Sequence, residues 1–388
     1  MTHATIDASR IARLDEALAR EVEAGLIPGA VVLVLSGDAI VHESVAGYRD
    51  AATNASMRRD DLFRLASMTK PLVSVAALML AEEGRLVLSE PVATYVPAFG
   101  AVVVGDARDQ PERPPTVQDL FRHTSGLTYG PFGTSPIENA YREAGVLSQQ
   151  QSGDDFVRKL AAIPLQYEPG TTFEYSVSTD LLGRIVEIVA GEPLGAFLSQ
   201  RLFEPLGMTD TAFALDDARA ARLAEGLANT SGAPLLASLY THARPPVWQS
   251  GGGGLLGSAP DYARFAAMLL AGGSSEGRTY LGRKTFELMT RNHLPPGVAY
   301  GPFTAQLGVA APLPANGYGF GLGVGVRVDA GRNVSPGSIG DFGWGGISGT
   351  LFWCDPQERL AVVALLAAPD QRGRMRPIVR SLVYQALR

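Results

Sequence analysis

A single cysteine, Cys354, stands among 388 residues, so no disulfide can close within the chain. That suits a reducing compartment. Cys354 lies in Leu351-Phe-Trp-Cys-Asp355 and reads as a small core residue of a strand. Histidine is scarce as well: His3, His42, His123, His242 and His293 are all there are. No H-E-x-x-H or C-x-x-C spacing offers a metal site. Charged residues make up 19%, below the roughly 25% of average soluble proteins, and the net charge is −6. Without a basic excess or a run of like charges, a nucleic-acid partner is not expected. No uninterrupted apolar run approaches the about 18 residues of a membrane span. The first 25 residues lack a basic segment followed by an apolar one, so no secretory signal is visible and a cytoplasmic location is expected. Nothing in the sequence speaks to oligomeric state.

What the chain does have is apolar content, 46%, enough for a sizeable core. Ile11, Leu14, Ala17, Leu18 and Val22 recur at helical spacing and predict a surface helix over about 6–24. Gly29 to Ser36 is a β-branched-rich run, and after the Gly37-Asp38 turn, Ala39 to Gly47 reads as its hairpin partner. Toward the other end, Gly319–Val328, Gly349–Cys354 and Leu360–Ala367 read as strands, with a final helix from about Pro377 to Leu387. The middle is helical and rich in loops. The expected class is therefore α+β, an antiparallel sheet built from both termini with flanking helices and a helical insertion. Residues 1–85 and 318–388 would form the sheet domain and 86–317 a mainly helical one, with the site at their interface.

The most informative stretch is Leu62-Phe-Arg-Leu-Ala-Ser67-Met-Thr-Lys70-Pro-Leu-Val. Leu72, Val75, Leu78 and Met79 mark a helical stripe, and Pro71 is tolerated only near its first turn. Ser67 then sits at a helix N-terminus, with Lys70 three residues on and on the same face. A serine hydroxyl needs a neighbour to take its proton, and a buried lysine can serve once its pKa is lowered. The helix N-terminus adds N–H groups near a developing oxyanion. By itself S-x-x-K is a weak signal, because Ser67 also suits a simple N-cap.

Other segments fall into line with it: His123-Thr-Ser-Gly-Leu127, Glu168-Pro-Gly-Thr-Thr-Phe-Glu-Tyr-Ser176, Pro205-Leu-Gly-Met-Thr209 and Gly251–Gly254. With Phe63–Lys70 they make the chain resemble, along nearly its whole length, the class C β-lactamase and penicillin-binding-protein superfamily of serine hydrolases. The resemblance implies that Tyr175 works with Lys70 on the Ser67 proton, and that the Ser67 and Ile347 N–H groups form the oxyanion hole. It implies no cofactor. The second motif, Tyr-x-Asn in that superfamily, here reads Tyr175-Ser176-Val177. The third, Lys-Thr-Gly, reads Trp344-Gly345-Gly346. The lost asparagine and lysine would hold a β-lactam, and the Trp-Gly-Gly variant resembles the family VIII carboxylesterases. Val177, Trp344, Gly345 and Gly346 are thus candidate substrate-binding positions, and His123 a structural neighbour of the site. The expected reaction is hydrolysis of a small, short-chain acyl ester. A β-lactamase, a D-amino-acid peptidase or amidase, and an acyltransferase are the alternatives on the same machinery. A decoy G-x-S-x-G, Gly273–Gly277, follows a predicted helix rather than a strand and reads as a helix-ending loop.

Overall fold

The computed structural model describes residues 5–388; His3 lies outside that range. Eight strands form one sheet in the order Tyr318–Phe320, Gly325–Arg327, Phe342–Gly345, Leu351–Asp355, Leu360–Leu366, Gly29–Ser36, Ala39–Asp50 and Ala55–Ser56. Every neighbouring pair runs antiparallel. Strands from the two ends of the sequence meet at its centre, where Val31 faces Leu365 and Leu33 faces Val363.

Gly29–Ser36 is buried along its whole length, which explains its unbroken apolar run. Ala30, Val32 and Val34 pack on the terminal helices Ala8–Glu23 and Arg372–Tyr384 through Leu14, Leu18, Val379 and Val383. Val31, Leu33 and Leu35 face the larger core, which extends into the middle of the chain through the helices Thr69–Glu82, Ser178–Ala190 and Ala259–Leu270. Among the described residues no helix is long and apolar enough to cross a membrane.

Two local expectations are corrected. Gly319–Val328 is not one strand but a tight hairpin of two. Gly323, at φ +88°, turns the chain where a Cβ would stand 2.0 Å from Ser74 Oγ. The final helix begins at Arg372, five residues before Pro377, which lies inside it. The proline's missing N–H falls opposite the Gly373 carbonyl, where no side chain adds to the crowding.

Candidate active site

The turn carrying Ser67 is held from several sides. Ala66 adopts φ +49°, a left-handed conformation that costs a non-glycine residue about 1–3 kcal/mol unless its surroundings enforce it. They do. Leu65 N–H donates to Leu255 O at 3.0 Å, and Met68 N–H to Leu65 O at 3.1 Å. Thr350 Oγ1 donates to Leu65 O at 3.1 Å, Ser348 Oγ to Arg64 O at 2.6 Å, and the Tyr262 hydroxyl to Met68 O at 2.9 Å. A 3₁₀ turn, Ala66–Met68, then leads directly into the helix Thr69–Glu82, with Pro71 in its first turn.

Lys70 is fully buried one turn beyond Ser67. Its Nζ lies 3.3 Å from Ser67 Oγ and 2.9 Å from the Tyr129 hydroxyl, and donates to Gly252 O at 2.6 Å. The Gly252 peptide is itself fixed, because its N–H donates to Asp180 Oδ1 at 3.0 Å. Asp180 is buried and also accepts from the Ser250 hydroxyl. Burial pushes its carboxyl up and the Lys70 cation pulls it back. Gly252 cannot carry a side chain, since a Cβ would stand 2.2 Å from Asp180 Oδ2. The glycine run Gly251–Gly254 thus lets backbone reach the lysine.

Tyr175 is buried beside them, its ring centroid 4.6 Å from Lys70 Nζ. Its hydroxyl accepts the indole N–H of Trp344 at 2.9 Å. Among the described residues Tyr175 makes no side-chain hydrogen bond to Ser67 or Lys70, so Lys70 is the group in direct reach of the serine. His123 lies behind Tyr175, ring centroids 4.7 Å apart, and accepts the Ser176 N–H on Nδ1 at 3.2 Å. Burial first, and the Lys70 charge second, hold its pKa well below the ordinary histidine value, so it stays neutral.

Ser67, Tyr175, Trp344, Gly345 and Ile347 line one cavity of about 370 Å³. Phe132, Leu147, Trp248, Phe303 and Leu307 supply much of its apolar wall. Gly346 N–H donates to Thr350 O at 2.8 Å, closing a turn that leaves the Ile347 N–H without a protein acceptor among the described residues. Two candidate substrate-binding positions do not line the cavity. Val177 is fully buried at the start of the helix Ser178–Ala190 and packs into the core. Gly346 is enclosed, with Thr350 Oγ1 and Leu65 O where a side chain would go. Ser275 of the decoy pentad lies in a hairpin lining a separate depression with Leu35 and Arg264.

The structure adds residues that no motif marks: Tyr129 and Asp180 around Lys70, and Arg372 and Arg376 on the cavity wall. Only Asp180 had a local signal, an acidic residue in the first turn of a helix just after Tyr175.

Comparison with known proteins gives a consistent result. A family model described as beta-lactamase matches residues 14–385. Esterase EstB of Burkholderia gladioli is 30% identical over 412 aligned positions, covering 99% of this chain and all of that protein, 100%. Uncharacterized protein MT1414 of Mycobacterium tuberculosis is 35% identical over 370 residues, 92% of this chain and 90% of its own. Among solved structures, EstCE1, described as a hydrolase with promiscuous acyltransferase activity, superposes with a TM-score of 0.80 at 28% identity, covering 97% of this chain and 99% of that one. Simvastatin synthase LovD from Aspergillus terreus, 23% identical with a TM-score of 0.77 and 97% and 98% coverage, shares the fold.

Proposed function

From a chain that belongs to the beta-lactamase family, matched across residues 14–385, we propose a serine carboxylesterase that forms an acyl-enzyme on Ser67. The observation that carries the reading is the pair of contacts at the cavity floor. Lys70 Nζ meets Ser67 Oγ at 3.3 Å, and Trp344, where β-lactam hydrolases of this superfamily carry lysine, donates to the Tyr175 hydroxyl at 2.9 Å. Ser67 attacks the ester carbonyl and forms the new C–O bond. Lys70 and Tyr175 take its proton and return it to the departing alcohol. The N–H groups of Ser67 and Ile347 receive the oxyanion. Water then repeats the sequence and frees the acid. The 30% identity to Esterase EstB over its full length supports the same substrate class, a small ester.

Steady-state hydrolysis of p-nitrophenyl acetate, p-nitrophenyl butyrate and a chromogenic cephalosporin tests the proposal. The expected result is multiple turnovers on the esters and little cephalosporin cleavage. One burst of product without turnover, or cephalosporin as the best substrate, would sink it. Acyl transfer to an added alcohol is a second reading, favoured by the likeness to EstCE1. It predicts formation of the butyl ester when p-nitrophenyl butyrate is turned over in the presence of butanol.

Trp344→Phe separates the donor from the aromatic wall. The ring still packs against Phe320, now 5.0 Å away, but the N–H to Tyr175 is gone. A hydrogen bond to a charged group is worth about 1.5–3 kcal/mol, and this one holds the Tyr175 oxygen that handles the proton, so kcat on p-nitrophenyl butyrate is expected to fall about 10- to 100-fold with KM nearly constant. A rise in KM alone would assign Trp344 to packing.

A further inference from the structure

One wall of the cavity rests on a buried acid that the ester chemistry above leaves unused. Glu174 immediately precedes Tyr175 and is 2% exposed. The two residues before it, Thr172 and Phe173, pair in parallel with Ala299 and Tyr300. That pairing begins a strap, Ala299–Ala310, that runs over the carboxyl and on to the cavity. Ala299 N–H donates to Thr171 O at 2.8 Å, Gly301 N–H to Phe173 O at 3.0 Å and Thr304 Oγ1 to Phe173 O at 3.3 Å. Further along, Phe303 and Leu307 line the cavity. The Phe303 ring stacks on Tyr175 and on Phe132, with centroids 5.9 and 4.8 Å apart.

The strap is also what covers Glu174. Gly301 lies against it, since a Cβ there would stand 2.0 Å from Glu174 Oε2. Phe303 N–H donates to Oε1 over a long 3.4 Å, and Oε2 is buried with no partner among the described residues. Burial pushes the carboxyl up to about 7; the Phe303 N–H pulls the other way, and the charge of Glu138 adds to the rise. The other titratable groups on the surrounding elements offer no compensation. Glu138 accepts the Ser135 N–H and the Thr128 hydroxyl at 2.9 and 3.2 Å. Burial holds the phenols of Tyr141, Tyr167 and Tyr300 above their ordinary value, so they stay neutral, as does His123. Arg142 and Glu143, on the helix Pro136–Glu143 that carries Glu138, are exposed.

A neutral acid can occupy this place at small cost, and a carboxylate with one long donor cannot. The folded state holds the proton more tightly than the unfolded chain does. The stability it contributes is therefore complete in mild acid and falls as pH rises from the ordinary carboxylate range through about 7. Lifting the strap wets the carboxylate and relieves that cost.

We propose that Glu174 is a positioning residue for the substrate wall: with its proton it seats the strap so that Phe303 closes the cavity beside Tyr175, and without it the strap lifts and the wall is lost. This rests on the esterase reading for its assay, but adds a residue and a pH dependence which that reading does not contain.

The test measures kcat and KM for p-nitrophenyl butyrate from about pH 5.5 to about 9, read at the isosbestic wavelength of p-nitrophenol. In the wild type KM is expected to rise about tenfold across pH of about 7, as an apolar wall leaves the bound ester. Glu174→Gln keeps an acceptor for the Phe303 N–H and carries no charge. Its KM stays at the low-pH value throughout, and the pH limbs of kcat, set at Ser67 and its partners, do not move. A merely structural role would raise KM in Glu174→Gln at every pH and leave the slope in place. Phe303→Ala is expected to hold the high KM at every pH, and serves if Glu174→Gln does not fold. A flat KM in the wild type, the same rise in Glu174→Gln, or a pH-dependent KM in Phe303→Ala overturns the proposal. Failure of the esterase reading is separate, because it appears as no Ser67-dependent turnover at any pH. Phe303→Trp in the Ser67→Ala background then decides. Its emission, taken as the difference from Ser67→Ala alone, is expected to shift to the red as pH rises through about 7, and an emission that ignores pH overturns the lifting strap.

Discussion

Ser67→Ala is expected to remove ester turnover, lowering kcat by about 10³- to 10⁶-fold, the range seen when a nucleophile is deleted from a working hydrolase. Among the described residues, the other serines lining the cavity are engaged elsewhere. Ser250 gives its proton to Asp180, and Ser238 at the cavity rim gives its own to Leu235 O at 2.7 Å. Cys354 is buried in the sheet, with its thiol pushed far up by burial and by the charges of Asp355 and Asp341. Among the described residues, Ser67 is the serine whose partly accessible side chain meets the amine of Lys70. Because nucleophile and base act as a unit, Ser67→Ala/Lys70→Ala should be hardly worse than Ser67→Ala. Ser275→Ala, in its separate depression, is the control. Intact-mass measurement after reaction with a fluorophosphonate should show one adduct in the wild type and none in Ser67→Ala. Full turnover by Ser67→Ala, or an adduct on another residue, would remove Ser67 from its role.

The second large effect concerns stability. Asp341 is buried and opposed by two arginines. Arg327 Nε donates to its Oδ2 at 2.8 Å while the Tyr318 hydroxyl donates to Oδ1 at 2.9 Å. Arg327 itself is wholly buried, and its remaining donors go to Ser335 O and Pro336 O at 3.1 and 3.2 Å. Asp341→Ala removes the carboxylate with which both enclosed cations pair, and the unfolding free energy is expected to fall by about 3–5 kcal/mol. Urea denaturation followed by fluorescence reads the change. Replacing the group with apolar residues, Asp341→Leu with Arg327→Met and Arg380→Met, should recover much of the loss, because the desolvation cost disappears with the charges. If Asp341→Ala lost less than about 1 kcal/mol, the cluster would be behaving as exposed pairs do.

The class of fold was legible because its signals are local and repeated. The apolar run at Gly29–Ser36 and the stripe at Leu72–Met79 each reflect burial on specific faces. What failed were boundaries. Gly319–Val328 alternates as a strand should, and alternation does not register the turn at Gly323, which closes against Ser74 from a distant helix. Pro377 looked like a helix start, since proline favours a first turn, yet packing by Met375 extends the helix back to Arg372. The early start is what places Arg372 and Arg376 at the cavity, so the boundary error hid them. For the site, Ser67 and Lys70 meet through helix spacing, a short-range property. Tyr129 meets Lys70 across 59 positions, and Trp344 meets Tyr175 across 169, through tertiary packing that no periodicity encodes. Val177 occupies a motif position, but its side chain turns inward, a matter of backbone direction that residue identity does not fix.

The contact of Ser348 Oγ with Arg64 O spans 284 positions, and the central strand Gly29–Ser36 finds one of its two partners only in Leu360–Leu366. During synthesis, at about 5–20 residues per second, that apolar strand waits on the order of tens of seconds with an unpaired edge. The turn that holds Ala66 at positive φ lacks its clamps for nearly as long. The nascent chain is therefore a natural client for chaperones that shield strand edges, and the catalytic turn assembles only after the residues around Thr350 have been made.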